Sequence, residues 1–369
     1  MRDHSDQPPA VGPRSARLRL AAPAPPAVLP GLGAVSQARQ PSVVRPGKVG
    51  TRVGNLAHPG DLLISLAAAQ ALTVLYRCRL ATADHLQALI TPHAASSRYI
   101  RAELGKLERA GLVGAVRRRG AHRQRVWFLT RSGATAAEAS PDIQPRPYRM
   151  TAPLAAGPLQ AHALAVTDLL TALHVGGWAA LEDCAVEVAH GPAGSPGTAT
   201  GSARAMVITD AVIRLQPDAV AAGLPPVLFV ELDRGTTSVH TLATKLAAYD
   251  AYRQHRPATR AAAGAPPSWR TRYSPGDRRT PFPLVLVVID TPGPVALRRV
   301  EAVRRVLATQ RPVEGLDEGE LAVAVTTLGL LQRDGLAVQQ MLPLNPHAPV
   351  RKVALTQLYA AVRPARYRY

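Results

Sequence analysis

The chain has 369 residues, 47% hydrophobic and 19% charged, with a formal net charge of +19. That length allows two or three domains and a sizeable core. No apolar run approaches the roughly 18–20 residues of a membrane span, no apolar segment follows the N-terminal charges as in a secretory signal, and the two cysteines, Cys78 and Cys184, are too unrelated in spacing for a metal motif.

A cytoplasmic protein with no membrane partner is therefore expected. The positive charge is unevenly spread: +6 over residues 1–60, +7 over 61–140 and +5 over 331–369, whereas 150–330 balance at 16 basic and 16 acidic side chains. An excess confined to the flanks and one compact segment points to a nucleic-acid partner, with a solvated basic surface as the plain alternative.

Residues 1–60, rich in Pro, Arg, Ala and Gly without sustained periodicity, read as a disordered basic arm. Residues 61–140 have a definite pattern. A first helix over 61–79 is built around Leu62, Leu66, Leu72 and Leu75. Thr82 caps a short second helix, ADHLQALI, and Ser96 or Ser97 opens a third. In the third, Ile100, Leu104 and Leu107 share one face while Arg98, Arg101, Lys106 and Arg109 lie on the other, as a recognition helix requires. Gly111 ends it. Two extended runs, LVGAVRRR and RVWFLT, joined by residues 120–124, read as a hairpin carrying Arg117, Arg118, Arg119, Arg123 and Arg125. Three helices and a basic hairpin make a winged helix-turn-helix in which Arg98, Arg101, Lys106 and the five hairpin arginines are expected to contact double-stranded DNA.

Residues 141–153 are punctuated by proline and read as a linker. An amphipathic helix over 159–174 carries His162, set aside as a packing or capping residue, and Asp168. A strand over 185–188 follows Glu182. After a Gly/Pro/Ser/Thr loop at 191–201 comes a strand over 205–215, interrupted by Asp210. An acid in an apolar strand is costly unless solvated, paired or bound to metal. Arg214 is the candidate for an ion pair.

The most pointed stretch is VLFVELDRGTTSVHTLATKLAAY, residues 227–249. A buried strand ends on Glu231 and Asp233, one residue apart and so on one face. A turn follows, in which Thr236 or Thr237 caps a helix with Val239, Leu242, Leu246 and Tyr249 on its apolar face and Lys245 on its flank. Two carboxylates at a strand end with a lysine on the next helix can hold a divalent cation near a phosphate; solvation of a strand end is the plain alternative. An Arg- and Pro-rich loop runs to Asp277. A buried strand over 284–289, a helix over 296–307 bearing Arg298, Arg299, Arg304 and Arg305, and a strand over 321–328 complete the series. This order predicts an α/β sandwich around a mixed sheet, with 154–330 as a second domain and 331–369 as a basic tail. No phosphate-binding loop, dinucleotide fingerprint or nucleophile-elbow motif occurs.

The winged-helix segment GLV…VWFLTRSG, the helix with AHALAVTDLL and above all VELDRGTTSVHTLATKLAAYDAY resemble the replication-relaxation proteins of actinobacterial and Gram-positive plasmids and integrative elements. The resemblance covers about residues 65–310. It implies a second domain similar to the PD-(D/E)XK nuclease fold, in which acids bind Mg2+ and align water for phosphodiester cleavage. The matching positions are Asp210 for the first acid and Glu231 for the second, with Glu182 a further candidate. Two departures stand out: Thr209 replaces the proline before Asp210, and Asp233 stands where lysine is expected. Lys245 is then the displaced lysine, and Asp233 a third metal-binding acid.

The resemblance implies a DNA-binding accessory protein of element replication, relaxation or transfer, working with replication or relaxase proteins or as a homodimer, and an Mg2+-dependent nickase if Asp210, Glu231, Asp233 and Lys245 form a live site. The alternatives are a transcriptional or copy-number regulator whose degenerate second domain oligomerises or binds an effector, and a DNA-protecting partner of a relaxase with no chemistry of its own.

Overall fold

The computed structural model describes residues 64–148, 150–191, 207–256, 266–277, 279–309, 313–337, 341–347 and 349–362, with the side chains of 121–123 left aside. The basic arm 1–60, most of the 191–201 loop and the terminal VRPARYRY beyond residue 362 lie outside these residues.

The N-terminal elements are α1 (Leu66–Cys78), β1 (Ala81–Thr82), α2 (Ala83–Ile90), α3 (Arg98–Arg109), β2 (Val113–Arg118), β3 (Ala121–Leu129) and α4 (Arg131–Glu138). The three strands form an antiparallel sheet in the order β1-β3-β2, so the helices carry a wing. Leu72 and Leu75 are buried, but Leu66 is 67% exposed. It sits at the first helical position because the Ser65 hydroxyl caps α1 by accepting the Ala68 N–H. Thr82 caps α2 as expected, within a reciprocal box. Its Oγ1 accepts the His85 N–H, and His85 Nδ1 accepts the Thr82 N–H. Nε2 of His85 must then carry the proton, and it donates to Asp168 at 2.7 Å.

Gly111 closes α3 at φ 69°, with its N–H on the Glu108 carbonyl and the Leu112 N–H on that of Leu107, a Schellman arrangement. Ser97 occupies the N-cap position without a side-chain capping bond, because its hydroxyl donates to Asp84 instead. The hairpin is tighter than the pattern suggested. Strand β3 starts at Ala121, Arg119 and Gly120 make the turn, and a bulge between Arg117 and Arg118 absorbs the mismatch.

Gly105 lies within α3, where an added methyl group meets nothing within 4 Å. Gly105→Ala is therefore expected to stabilise the protein by about 0.5–1 kcal/mol through helix propensity. A lower melting temperature in a thermal scan would contradict this.

The second half comprises α5 (Ala152–Ala155), α6 (Gln160–Val175), β4 (Cys184–His190), β5 (Val207–Arg214), α7 (Pro217–Ala221), β6 (Val227–Asp233), α8 (Val239–Gln254), α9 (Ser268–Tyr273), β7 (Leu284–Ile289), α10 (Gly293–Thr309), α11 (Glu314–Asp317), β8 (Val323–Thr327), α12 (Leu328–Asp334), β9 (Leu342–Pro343) and α13 (Leu355–Ala360). Six strands form one mixed sheet in sequence order, β4 to β9, with β6-β7-β8 parallel and the remaining pairs antiparallel. Helices cover both faces, which is why β6 and β7 are buried at every position. On one face α6 and α12 pack on Ile213, Leu228, Val230, Leu286 and Val288. On the other, α8 and α10 pack on Val212, Phe229, Val285 and Val287. The first of these core layers continues into α1, α2 and α3, so α6 is shared by winged helix and sheet.

Three expectations are corrected. Ser238, one residue beyond the threonines, caps α8 by accepting the Thr241 N–H. The Arg- and Pro-rich stretch contains α9, because Trp269 is fully buried and stacks edge-on against Phe282. The segment read as a basic tail joins the fold through β9 and α13, its apolar Met341, Leu344 and Leu355 giving a reason to stay. Residues 141–153 also have tertiary contacts: Ile143 is buried, and the Arg146 N–H donates to the Tyr76 hydroxyl at 2.8 Å. Among the described residues no helix is long and apolar enough to cross a membrane.

Candidate functional site

Strand β6 carries Glu231 and Asp233 at its C-terminal end, in the fully buried run VLFVELD. Its antiparallel neighbour β5 pairs with it only from Ala211 onward, so the two strands part at Asp210. The Asp210 side chain bridges the gap, Oδ2 accepting the Leu232 N–H at 2.8 Å. The site lies in this notch.

Lys245 of α8 reaches both acids. Its Nζ lies 3.5 Å from Asp210 Oδ1 and is in direct contact with Glu231 Oε2. His162, in the first turn of α6, approaches Asp210 from the other core layer, with Nε2 3.5 Å from Oδ1. Asp210, Glu231 and Lys245 are thus brought together, and His162, which the sequence reading set aside, joins them. The anticipated partner Arg214 is elsewhere, lying over Tyr273 and donating to the Arg272 carbonyl.

Glu231 is 3% exposed. Burial, reinforced by the negative charge of Asp210, pushes its carboxyl up to about 8 against the opposing pull of Lys245 and Tyr249. Asp210 goes the other way: burial would raise it, but the His162 contact, the Lys245 charge and the Leu232 N–H together hold it below its ordinary value. Lys245 is raised because the two acids outweigh its own desolvation. At neutral pH the cluster therefore holds one ionised carboxylate, one ammonium and one mostly protonated carboxyl.

Behind Glu231 runs a buried hydrogen-bonded chain. The Tyr249 hydroxyl bonds Glu231 Oε1 and lies 3.0 Å from the Thr209 hydroxyl. Thr209 lies 3.1 Å from His190 Nδ1, and His190 Nε2 lies 2.8 Å from the Tyr273 hydroxyl. Burial and the nearby Arg272 charge depress His190 to about 3, so its ring is neutral, with one donor and one acceptor nitrogen. With the Tyr249 hydroxyl donating to Glu231, every later group can donate back along the chain and no lone pair faces another. Sequence reading took Tyr249 as one more apolar face residue and Thr209 as a mere departure from proline.

Asp233 does not join the cluster. Its carboxylate accepts two hydrogen bonds from Arg299 of α10 and the Gly235 N–H at 2.8 Å, and Arg299 also donates to the Thr237 carbonyl. It ties the β6–α8 turn to α10. Glu182 is exposed and offers only its backbone carbonyl, to Arg77.

On the winged helix, Arg98, Arg101, Lys106 and Arg109 are exposed, opposite the buried Ile100, Leu104 and Leu107. Acids interleave with them: Lys106 pairs with Glu103 at 2.6 Å, Arg101 approaches Asp84 at 3.5 Å, and Arg125 pairs with Glu108 while lying 4.3 Å over Trp127. Arg117 is exposed and Arg118 donates to Gln124. The Arg123 side chain lies outside the described residues. The wing is also docked. The Arg119 N–H donates to Gln160 Oε1 at 2.7 Å, and Gln160 Nε2 donates to the Arg117 carbonyl at 3.1 Å, so the N-terminus of α6 touches both the wing and, through His162, the acid site.

No curated protein matches the chain. Among solved structures, those of the Lactococcus lactis protein ZitR, described as a zinc-responsive MarR family member, and of two of its point mutants are similar at 18–20% identity, covering 24% of this chain and 56–58% of theirs with TM-scores of 0.19–0.20. The chain thus spans a little over half the length of those proteins, and at such TM-scores the likeness carries no argument. The replication-relaxation family matches residues 72–267, more than half of the chain and including most of the winged helix and the Asp210–Glu231–Lys245 notch. This chain belongs to the replication-relaxation family.

Proposed function

We propose that the protein is a double-stranded-DNA-binding accessory factor of plasmid or integrative-element replication, relaxation or transfer, and that its second domain is a PD-(D/E)XK-like Mg2+-dependent nickase. The observation that carries the second part is the convergence of Asp210, Glu231 and Lys245 where β5 and β6 part. Isolated strand-end acids would be solvated; here Glu231 is buried and Asp210 half-buried, and burial with the charge of Asp210 pushes the Glu231 carboxyl well above its ordinary value, a pattern that clusters at functional sites.

The residues fit Mg2+ in a reduced form. Asp210 and Glu231 would supply two carboxyl groups, Glu231 on giving up its proton, and among the described residues no group of three His, Cys, Asp or Glu is placed to hold a metal ion. Mg2+ is commonly held by one or two carboxylates with water and phosphate completing its shell. The chemistry such an ion supplies is neutralisation of phosphate charge and acidification of water. Within the chain, Lys245 presents positive charge where the phosphate would gain negative charge, and Tyr249 fixes the orientation of Glu231. The exposed cations of α3 and the wing supply sequence-independent affinity through the phosphates.

The test is supercoiled plasmid incubated with the purified protein, with and without Mg2+ or Mn2+, beside Asp210→Ala and Glu231→Ala. Metal-dependent nicking is expected for the wild type, reduced by about 100-fold or more in each variant. Tight, salt-sensitive binding without cleavage by any of the three would overturn the nickase reading. It would favour a regulator whose notch is closed by its own Lys245, a reading that the capture of Asp233 by Arg299 also supports.

A further inference from the structure

Among the described residues two non-glycines have positive φ, Arg79 (φ 67°) and Glu187 (φ 51°), and they are ion-paired to each other at 2.7 Å. Such a backbone costs any residue with a Cβ, and it persists where the surroundings over-determine it. Arg79 ends α1, its N–H on the Leu75 carbonyl. Glu187 lies in the middle of β4, and its side chain is 53% exposed.

Its place in the sheet is specific. Val186 pairs with Ala211 and Val188 with Thr209, so Glu187 stands opposite Asp210, at the one rung of the β4–β5 ladder without pairing. Both strands change face there. Cys184, Val186, Ala211 and Ile213 belong to the core layer of α6. Val188 and Val207 belong to the layer of α8, toward which Thr209 also points to meet Tyr249. A regular strand keeps residues two apart on one face, and a left-handed residue breaks that rule. The break lets Thr209 reach Tyr249. It also leaves Asp210 between the layers, within 3.5 Å of both His162 on α6 and Lys245 on α8.

We propose that Glu187 is a positioning residue for the carboxylate site: its left-handed backbone, pinned by Arg79 from the end of the winged helix's first helix, turns the two strands over and sets Asp210 in the notch. The inference rests on the reading of Asp210, Glu231 and Lys245 as the working site, but not on cleavage.

Two substitutions isolate the backbone from the charge. Glu187→Ala and Glu187→Gly remove the same carboxylate and the same contact with Arg79, yet glycine keeps the left-handed conformation without strain while alanine does not. The readout is the side-chain NMR signal of Lys245 in the full-length protein. The chain has four lysines, so the signal is assigned with Lys245→Arg, and Asp210→Ala supplies the reference for a lost contact. The alanine variant is expected to move the signal most of the way to that reference and to melt below the glycine variant, and the glycine variant is expected to restore it. An alanine variant indistinguishable from wild type overturns the proposal. So do two equally displaced variants, because the charge and not the backbone would then be at work. A wild-type protein that never nicks plasmid, with the alanine–glycine difference intact, sinks the nickase reading and leaves this one standing.

Discussion

Glu231→Gln is expected to make the protein more stable, and the gain is expected to grow as pH rises. The folded carboxyl is pushed to about 8 from an ordinary 4.5. Between those values the folded state holds a proton that the unfolded state has released, so wild-type stability falls as pH rises through the window and levels off above it. Each unit of separation corresponds to about 1.4 kcal/mol, which makes the full cost on the order of a few kcal/mol. Glutamine is neutral throughout and keeps a group for Tyr249 to bond, while Asp210 still holds Lys245. Thermal scans at pH 5 and pH 9 should show little difference between variant and wild type at the lower pH. At the higher pH the variant should lead by about 5–10 °C, at roughly 2 °C per kcal/mol for a chain of this size. A variant whose lead over wild type is no larger at pH 9 than at pH 5 would mean that the buried acid is not strained. The prediction separates a residue kept for its chemistry from one kept for the fold, since the latter has no reason to destabilise it.

Gly133→Ala is expected to be the most damaging single-methyl change in the winged helix. A Cβ at this position would stand 1.8 Å from the Leu112 carbonyl oxygen and 2.8 Å from its carbon, backbone atoms with no rotamer to escape into. The same carbonyl accepts the Thr130 N–H at 3.1 Å, and the Thr130 hydroxyl caps α4 by accepting the Gly133 N–H. To admit the methyl, α4 must lift off the end of α3, and Ala134 and Ala137 leave the core they share with α1. A loss of about 3 kcal/mol or more follows, against the gain expected for Gly105→Ala. A melting point within a degree or two of wild type would show that α4 is free to move. The motif LTRSG, which closes the winged-helix segment, has this mechanical content: threonine caps a helix, and glycine lets that helix touch the chain it follows.

How much was legible differs by element. The winged helix could be read because each of its parts is signalled locally: a cap at Thr82, an amphipathic stripe at Ile100, Leu104 and Leu107, a left-handed glycine at 111 and an alternating hairpin. The parallel strands could be read because burial on both faces leaves continuous apolar runs at 227–233 and 284–289. Helix α4 was not legible, since its buried face consists of Gly133, Ala134 and Ala137, side chains too small to mark an apolar stripe. Nor was α9, whose one strong anchor, Trp269, sits among polar neighbours.

By itself, the sequence determined the types of the strongly patterned elements, the mixed α/β class and the acids and lysine of the notch, because burial period and unusual chemistry are properties of short stretches. Tertiary structure alone decided which of those groups meet. Asp233 looks like the partner of Glu231 because alternate residues share a face, yet Arg299, 66 residues away, holds it. His162 looks like packing, yet the crossing of α6 over the sheet brings it to Asp210. Asp210 reaches both core layers because a left-handed residue on the neighbouring strand turns the pleat over, and no pattern along β5 records what its neighbour's backbone does. Composition fixes what a segment can bury; only the packing of distant segments fixes which charges are left facing one another.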